Sequence, residues 1–205
     1  MLPFKMSITV KEFMELAMFY DPEPFLNECK KLELPEQWIQ DLSKITYGNR
    51  IDLSELNAEN FITLPLKVLH GVSEIDLIKL NAAEVIRFSF MVAEGLNELN
   101  QRDEKYLAYD PEDDELKAGI KKMNHGVFGI IDTIARRCPQ YTHEDILNLS
   151  DQKVFMMLKI DIDNANYSKR LRKVMTEKNK QDPNVFVTLL GDTCDRAYRK
   201  PCRIC

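Results

Sequence analysis

The chain has 205 residues, 44% of them apolar and 30% charged, with a formal net charge of −5. That length and balance suit one large globular domain or two small ones, and exclude a disordered polypeptide. No apolar run approaches the roughly 18 residues a membrane span requires, and five scattered cysteines argue for reduced thiols rather than a disulfide framework.

Taken in chain order, the elements read as helices. Only 7 glycines stand against 10 phenylalanines and 9 methionines, which favours helix over turn-rich sheet. The start, MLPFKMSITV, has an early Lys but no apolar stretch after it, so a signal peptide is not expected. Thr9 is placed to cap a first helix carrying Phe13, Leu16, Ala17 and Tyr20. Asp21-Pro22 stops it and opens a second helix with Phe25, Leu26 and Cys29. Leu34-Pro35 repeats the device, and Trp38, Ile39, Leu42 and Ile45 predict a third helix ending near Gly48.

A short phrase then appears three times: DLSELNAENF from Asp52, DLIKLNAAEV from Asp76 and DILNLSDQKV from Asp145. Each copy reads as a short turn capped by its Asp, handing over at Asn or Ser to another helix. The copies start 24 and then 69 residues apart, so there is no period and no solenoid. Shared helix-cap grammar explains the repetition, with duplication as the alternative. Between the first two copies, Leu64-Pro65 opens a short helix that closes at Gly71.

Asn81 caps the clearest helix, where Val85, Ile86, Phe88, Phe90, Met91, Leu96 and Leu99 imply deep burial. Residues 101–114 read as an acidic loop or boundary between a helical region 1–100 and a second region 115–205, unless the two form one domain. Two helical pieces follow, Glu115 to Met123 and Val127 to Arg137, hinged at Asn124-His125-Gly126. Thr142 caps a brief turn, and the third phrase then launches a long helix from Asp151 to about Lys180, with Val154, Phe155, Leu158, Ile162, Leu171, Val174 and Met175 at helical spacing. The final stretch, beginning Val185, Phe186, Val187, is either a short strand or another helical turn. The fold class expected is therefore mainly all-α: an irregular bundle of short capped helices with one or two long ones.

Charge is unevenly placed. Residues 166–205 hold ten Lys and Arg against four acids, so the remainder carries −11. The densest acidic patch is Asp110, Glu112, Asp113, Asp114 and Glu115. Its basic counterpart is Lys169, Arg170, Arg172, Lys173, Lys178 and Lys180, continued by Arg196, Arg199 and Lys200. An acidic body with a basic end suits docking onto copies of itself or onto an acidic partner, the patch of one subunit meeting the basic helix of the next.

Catalytic and metal patterns are weak. Cys194, Cys202 and Cys205 have one zinc-like spacing but lack a fourth ligand. The DIDNAN run from Asp161 has Asn166 where a calcium loop needs glycine. Cys138 with His143 has no orienting carboxylate, and the sequence holds no phosphate-binding glycine loop. Neither enzymatic activity nor a cofactor is expected.

The stretch from Tyr141 to Met175, YTHEDILNLSDQKVFMMLKIDIDNANYSKRLRKVM, resembles small helical proteins of the tail and head–tail modules of tailed bacteriophages. Those include tail-assembly chaperones, baseplate-assembly proteins and ring proteins, in which a brief (D/E)xLxL turn hands over to a long helix ending in a basic, Tyr-containing stretch. The segment NFITLPLKVLHGVSEIDLIKLNAAEVIRFSF is similar in character. The resemblance implies a virion component or assembly factor, made in a bacterial cytoplasm and acting on other virion proteins or on further copies of itself. Nucleic acid, met by the basic segment 166–205, is the alternative partner.

Overall fold

In the computed structural model, residues 4–120 and 125–181 are described. Among them the fold is all-α, without a strand. Helix α1 spans Val10–Ala17, α2 Glu23–Cys29, α3 Tyr47–Leu53, α4 Leu64–His70 and α5 Glu74–Leu77. The second half has α6 over Ala82–Tyr106, α7 over Asp113–Lys117, α8 over Gly126–Arg137, α9 over His143–Leu147 and α10 over Asp151–Gln181. The strand-or-turn expected from Val185 lies outside the described residues.

Local signals place most helix starts. Thr9 and Glu12 form a reciprocal capping box on α1, as do Thr142 and Asp145 on α9. The Asn81 carbonyl oxygen of the side chain accepts from the N–H groups of Ala83 and Glu84 at the head of α6. Gly71 ends α4 at φ 63°, a left-handed conformation that favours glycine. The helix expected around Trp38 to Gly48 does not form. Glu36–Trp38 and Leu42–Lys44 are separate 3-10 turns, and Ile45 is extended, with the next helix starting only at Tyr47. Asp41 accepts from the Ser43 N–H, and this local cap together with that of Thr46 divides the segment.

The thrice-written phrase is structurally two copies and one coincidence. At Asp76 and Asp145 the Asp is not the N-cap but the third residue of a short helix whose caps are Ser73 and Thr142. The working pattern is thus Ser/Thr-x-x-Asp-Leu/Ile-x-x-Leu-Asn/Ser, and the residue after Asp, Leu77 or Ile146, is buried. The copy at Asp52 lacks Ser or Thr three residues earlier; Asn49 stands there, and Asp52 lies inside α3.

The two true copies do the same work. The Leu80 carbonyl accepts from the Val10 N–H, and the Ala82 N–H donates to Ile8, both at 2.9 Å. In parallel, the Leu149 carbonyl accepts from the Tyr47 N–H, and the Asp151 N–H donates to Ile45, both at 2.8 Å. Each set is an isolated antiparallel bridge, Thr9 with Asn81 and Thr46 with Ser150. Each bridge holds the starts of two helices side by side, α1 with α6 and α3 with α10. Orphan N–H groups at both helix starts are satisfied by the opposite chain.

Two hydrophobic cores result among the described residues. The first gathers Phe4, Phe13 and Phe25, whose ring centroids lie 5.3–5.6 Å apart, against Val85, Ile86, Phe88 and Val92 of α6. The second holds Tyr47, Ile131, Ile134, Cys138, Ile146, Val154 and Met157. Helix α3 serves both, since Tyr47 and Ile51 pack into the second core while Leu53 is buried in the first. Tyr47 and Ile51, from the anticipated N-terminal region, therefore help complete the core of the C-terminal one.

The 101–114 stretch is not all loop. Helix α6 continues to Tyr106, leaving residues 107–112 as the connection. Its polar end is held by an ion cluster in which Arg50 of α3 and Arg102 of α6 both bind Asp103 and Asp151. Asp151, 1% exposed, receives Arg50 at 2.5 Å and Arg102 at 2.8 Å. Arg102 also lies 4.0 Å from the Phe155 ring centroid. Two guanidiniums and two carboxylates balance, so a polar helix end is docked without an uncompensated buried charge.

Candidate interaction surface

Helix α10 is about 46 Å long at 1.5 Å per residue, and only its first two turns enter a core. Val154 and Met157 are buried in the second core, and Phe155 packs under Arg102 and Tyr106. Leu158 and Ile162 are half-buried, and every residue from Arg170 to Lys178 is exposed. The apolar spacing read from the sequence persists beyond the interior it was expected to fill. Tyr167, Leu171, Val174 and Met175 stay exposed, in the i, i+4, i+7, i+8 arrangement of one helical face.

The opposite face of this half is clasped by the acidic connection. Lys169 donates to Glu115 Oε2 at 3.0 Å and to the Asp110 carbonyl at 2.9 Å. Its ammonium also lies 3.9 Å from the centroid of the Tyr109 ring. The Tyr109 hydroxyl donates to Glu115 Oε1, the Glu112 N–H donates to Oε2, and Lys173 pairs with Glu112 at 3.4 Å. Tyr109 first, then the Glu112 N–H and Lys169, hold the Glu115 carboxyl down at about 2. Burial opposes the charge on Lys169, but the hydrogen bonds its ammonium donates to Tyr109 and Glu115 outweigh it and raise its pKa.

Between these elements runs an open groove of about 850 Å³ lined by both signs of charge, including Asp113, Lys117, Asn166 and Arg170. The acidic and basic residues expected to meet between subunits thus meet within one chain. Asp110 contributes its carbonyl, Glu112 and Glu115 their carboxylates, and Asp113 and Asp114 stand exposed in the first turn of α7. Lys169 and Lys173 are engaged, whereas Arg170, Arg172 and Lys178 are exposed and make no ion pair among the described residues. The side chain of Lys180, and Arg196, Arg199 and Lys200, lie outside the described residues.

Sequence reasoning missed Tyr109, Arg50 and Arg102. Tyr109 sits one residue before the acidic run and could have been suspected as an aromatic seat for a cation. Arg50 and Arg102 carry no local signal, since they meet only after α3, α6 and α10 assemble. The patterns weighed for chemistry come apart here. Asp161, Asp163 and Asn166 lie inside α10, where helical backbone replaces a calcium loop. Cys138 is buried in the second core, and His143 stands edge-on to Phe128 at 5.5 Å. Cys194, Cys202 and Cys205 lie outside the described residues. No helix among the described residues is long and apolar enough to cross a membrane.

Compared with protein-family models, curated proteins and solved structures, the chain has no match.

Proposed function

We propose that this chain is a non-enzymatic structural or assembly protein of a tailed bacteriophage, a component of the tail, baseplate or neck ring or a factor that builds one. It acts by gripping other polypeptides, in the host cytoplasm during assembly or in the virion itself, and uses no cofactor. The observation that carries this reading is the outer half of α10, a helix extended past both cores with Tyr167, Leu171, Val174 and Met175 exposed along one face. Isolated surface apolar residues need no explanation, but an aligned series bordered by exposed cations is the composition of a protein-binding helix. The resemblance of residues 141–175 to phage tail and connector proteins supplies the class of partner.

Light scattering after size exclusion, at low and high salt, measures self-association. Co-purification with recombinant phage portal, tail-tube and tape-measure proteins measures partner binding. A strict monomer that retains none of them refutes the proposal.

A second reading rests on Arg170, Arg172 and Lys178, exposed cations that make no ion pair among the described residues. A nucleic-acid contact would use them against phosphates. Electrophoretic mobility shift at two salt concentrations, with and without residues 166–205, separates the readings; tight, salt-sensitive binding lost on truncation favours the second.

A further inference from the structure

The outer half of α10 presents Arg170, Arg172 and Lys178 around an exposed apolar face, while Lys169 and Lys173 are engaged by the clasp on the opposite side. The same chain carries a patch of the converse kind. Residues 12–23, covering most of α1 and the turn after it, hold four acids and no Lys or Arg. Within that segment Met18 is 78% exposed and Phe19 81%, and Met14 and Tyr20 are exposed beside them. Met14 and Met18 are four residues apart, at the end of α1, and the chain turns at Phe19 and Tyr20 so that their side chains remain outside the first core. Of the acids, Glu15 pairs only with Lys11, across 3.8 Å at the surface, and Glu23 has no ion pair among the described residues.

We infer that the outer face of α10 docks onto the end of α1 in a second copy of this chain. Tyr167, Leu171, Val174 and Met175 would cover Met14, Met18, Phe19 and Tyr20, with Arg170 and Lys178 facing Glu15 and Glu23. The inference rests on the proposed assembly role and names the partner of the same surface. Two features favour a second copy over an unrelated acidic protein: opposite charge on the two patches, and an apolar cluster of equal number. Because the two patches differ, the contact is either exchanged reciprocally in a two-fold dimer or repeated head to tail into a closed ring or an open filament. The clasp around Lys169 lies on the other side of α10, so docking leaves it intact. Methionines suit the receiving patch, since their flexible side chains adapt to an incoming helix.

The test uses the full chain with a photo-crosslinking phenylalanine analogue in place of Tyr167. Irradiation of mixed light- and heavy-isotope chains, followed by mass mapping, should yield inter-chain crosslinks into residues 12–23. Arg170→Glu with Lys178→Glu should weaken self-association by about ten-fold, as should Glu15→Lys with Glu23→Lys. Mixing the two double variants should restore it. All four positions are exposed, and unchanged helicity by circular dichroism confirms folding of each variant. Inter-chain crosslinks confined to other segments, or crosslinks to nucleic acid, overturn the inference. If self-association persists elsewhere, or the monomer retains a tail protein, the assembly role stands without this contact. A monomer that retains no tail protein overturns both.

Discussion

Replacing Asp151 with Ala should be among the most damaging single changes outside the apolar cores. The carboxylate is 1% exposed and receives one guanidinium N–H from Arg50 at 2.5 Å and another from Arg102 at 2.8 Å. Each charge-assisted hydrogen bond contributes about 1.5–3 kcal/mol, and breaking a buried pair costs about 3–5 kcal/mol by leaving charge uncompensated. Here the arginine side chains keep 14% and 18% of their exposure and retain Asp103, which moves the cost to the lower end. The expected loss is about 3 kcal/mol, or about 1.5 M in urea midpoint for a slope near 2 kcal/mol/M. Asp103→Ala, at a 25% exposed side chain, should cost less. Urea unfolding followed by circular dichroism reads both. A shift below about 0.5 M for Asp151→Ala, at unchanged slope, would refute the claim that this cluster ties α3, α6 and α10 together. A double-mutant cycle of Arg50→Met with Asp151→Leu should show a coupling of more than about 1 kcal/mol.

Asn81→Ala removes the acceptor for two N–H groups of α6 and a donor to the Met6 carbonyl, and should cost about 1–2 kcal/mol by the same unfolding assay. The Glu115 carboxyl, held at about 2, favours the folded clasp at any pH above its usual value near 4.5 and loses that contribution as pH falls toward 2. Carbon-13 titration should therefore find its midpoint near 2, and Tyr109→Phe should move it upward; a midpoint at 4.5 in the native protein would contradict the geometry. Lys169, with its pKa raised, stabilises the clasp below the ordinary lysine range and loses this only in stronger alkali. Burial pushes the Cys29 thiol up to about 11, so mass mapping after alkylation at pH 8 should find it unmodified until the first core unfolds.

The sequence alone determined what local physics can determine. Thr9, Asn81 and Thr142 announce their helices because a cap acts on the N–H groups two or three residues away, and α6 and α10 show their buried faces by spacing. The same local reasoning misread Asp76 and Asp145 as caps, since Asp at the third helical position obeys the same electrostatics as Asp at the cap. It also extended one helix through Trp38 to Gly48, where successive local caps break the backbone. What only the tertiary structure decided depends on residues far apart in the chain. The two copies of the phrase matter because their Leu carbonyls bridge to Val10 and Tyr47, and Arg50 finds Asp151 across 101 positions. The charge patches were legible as composition, but composition carries no address: the acidic run met the basic helix of its own chain through Glu115 and Lys169. That the far stripe of α10 lies outside was equally invisible, because helical spacing identifies an apolar face without specifying whether anything covers it.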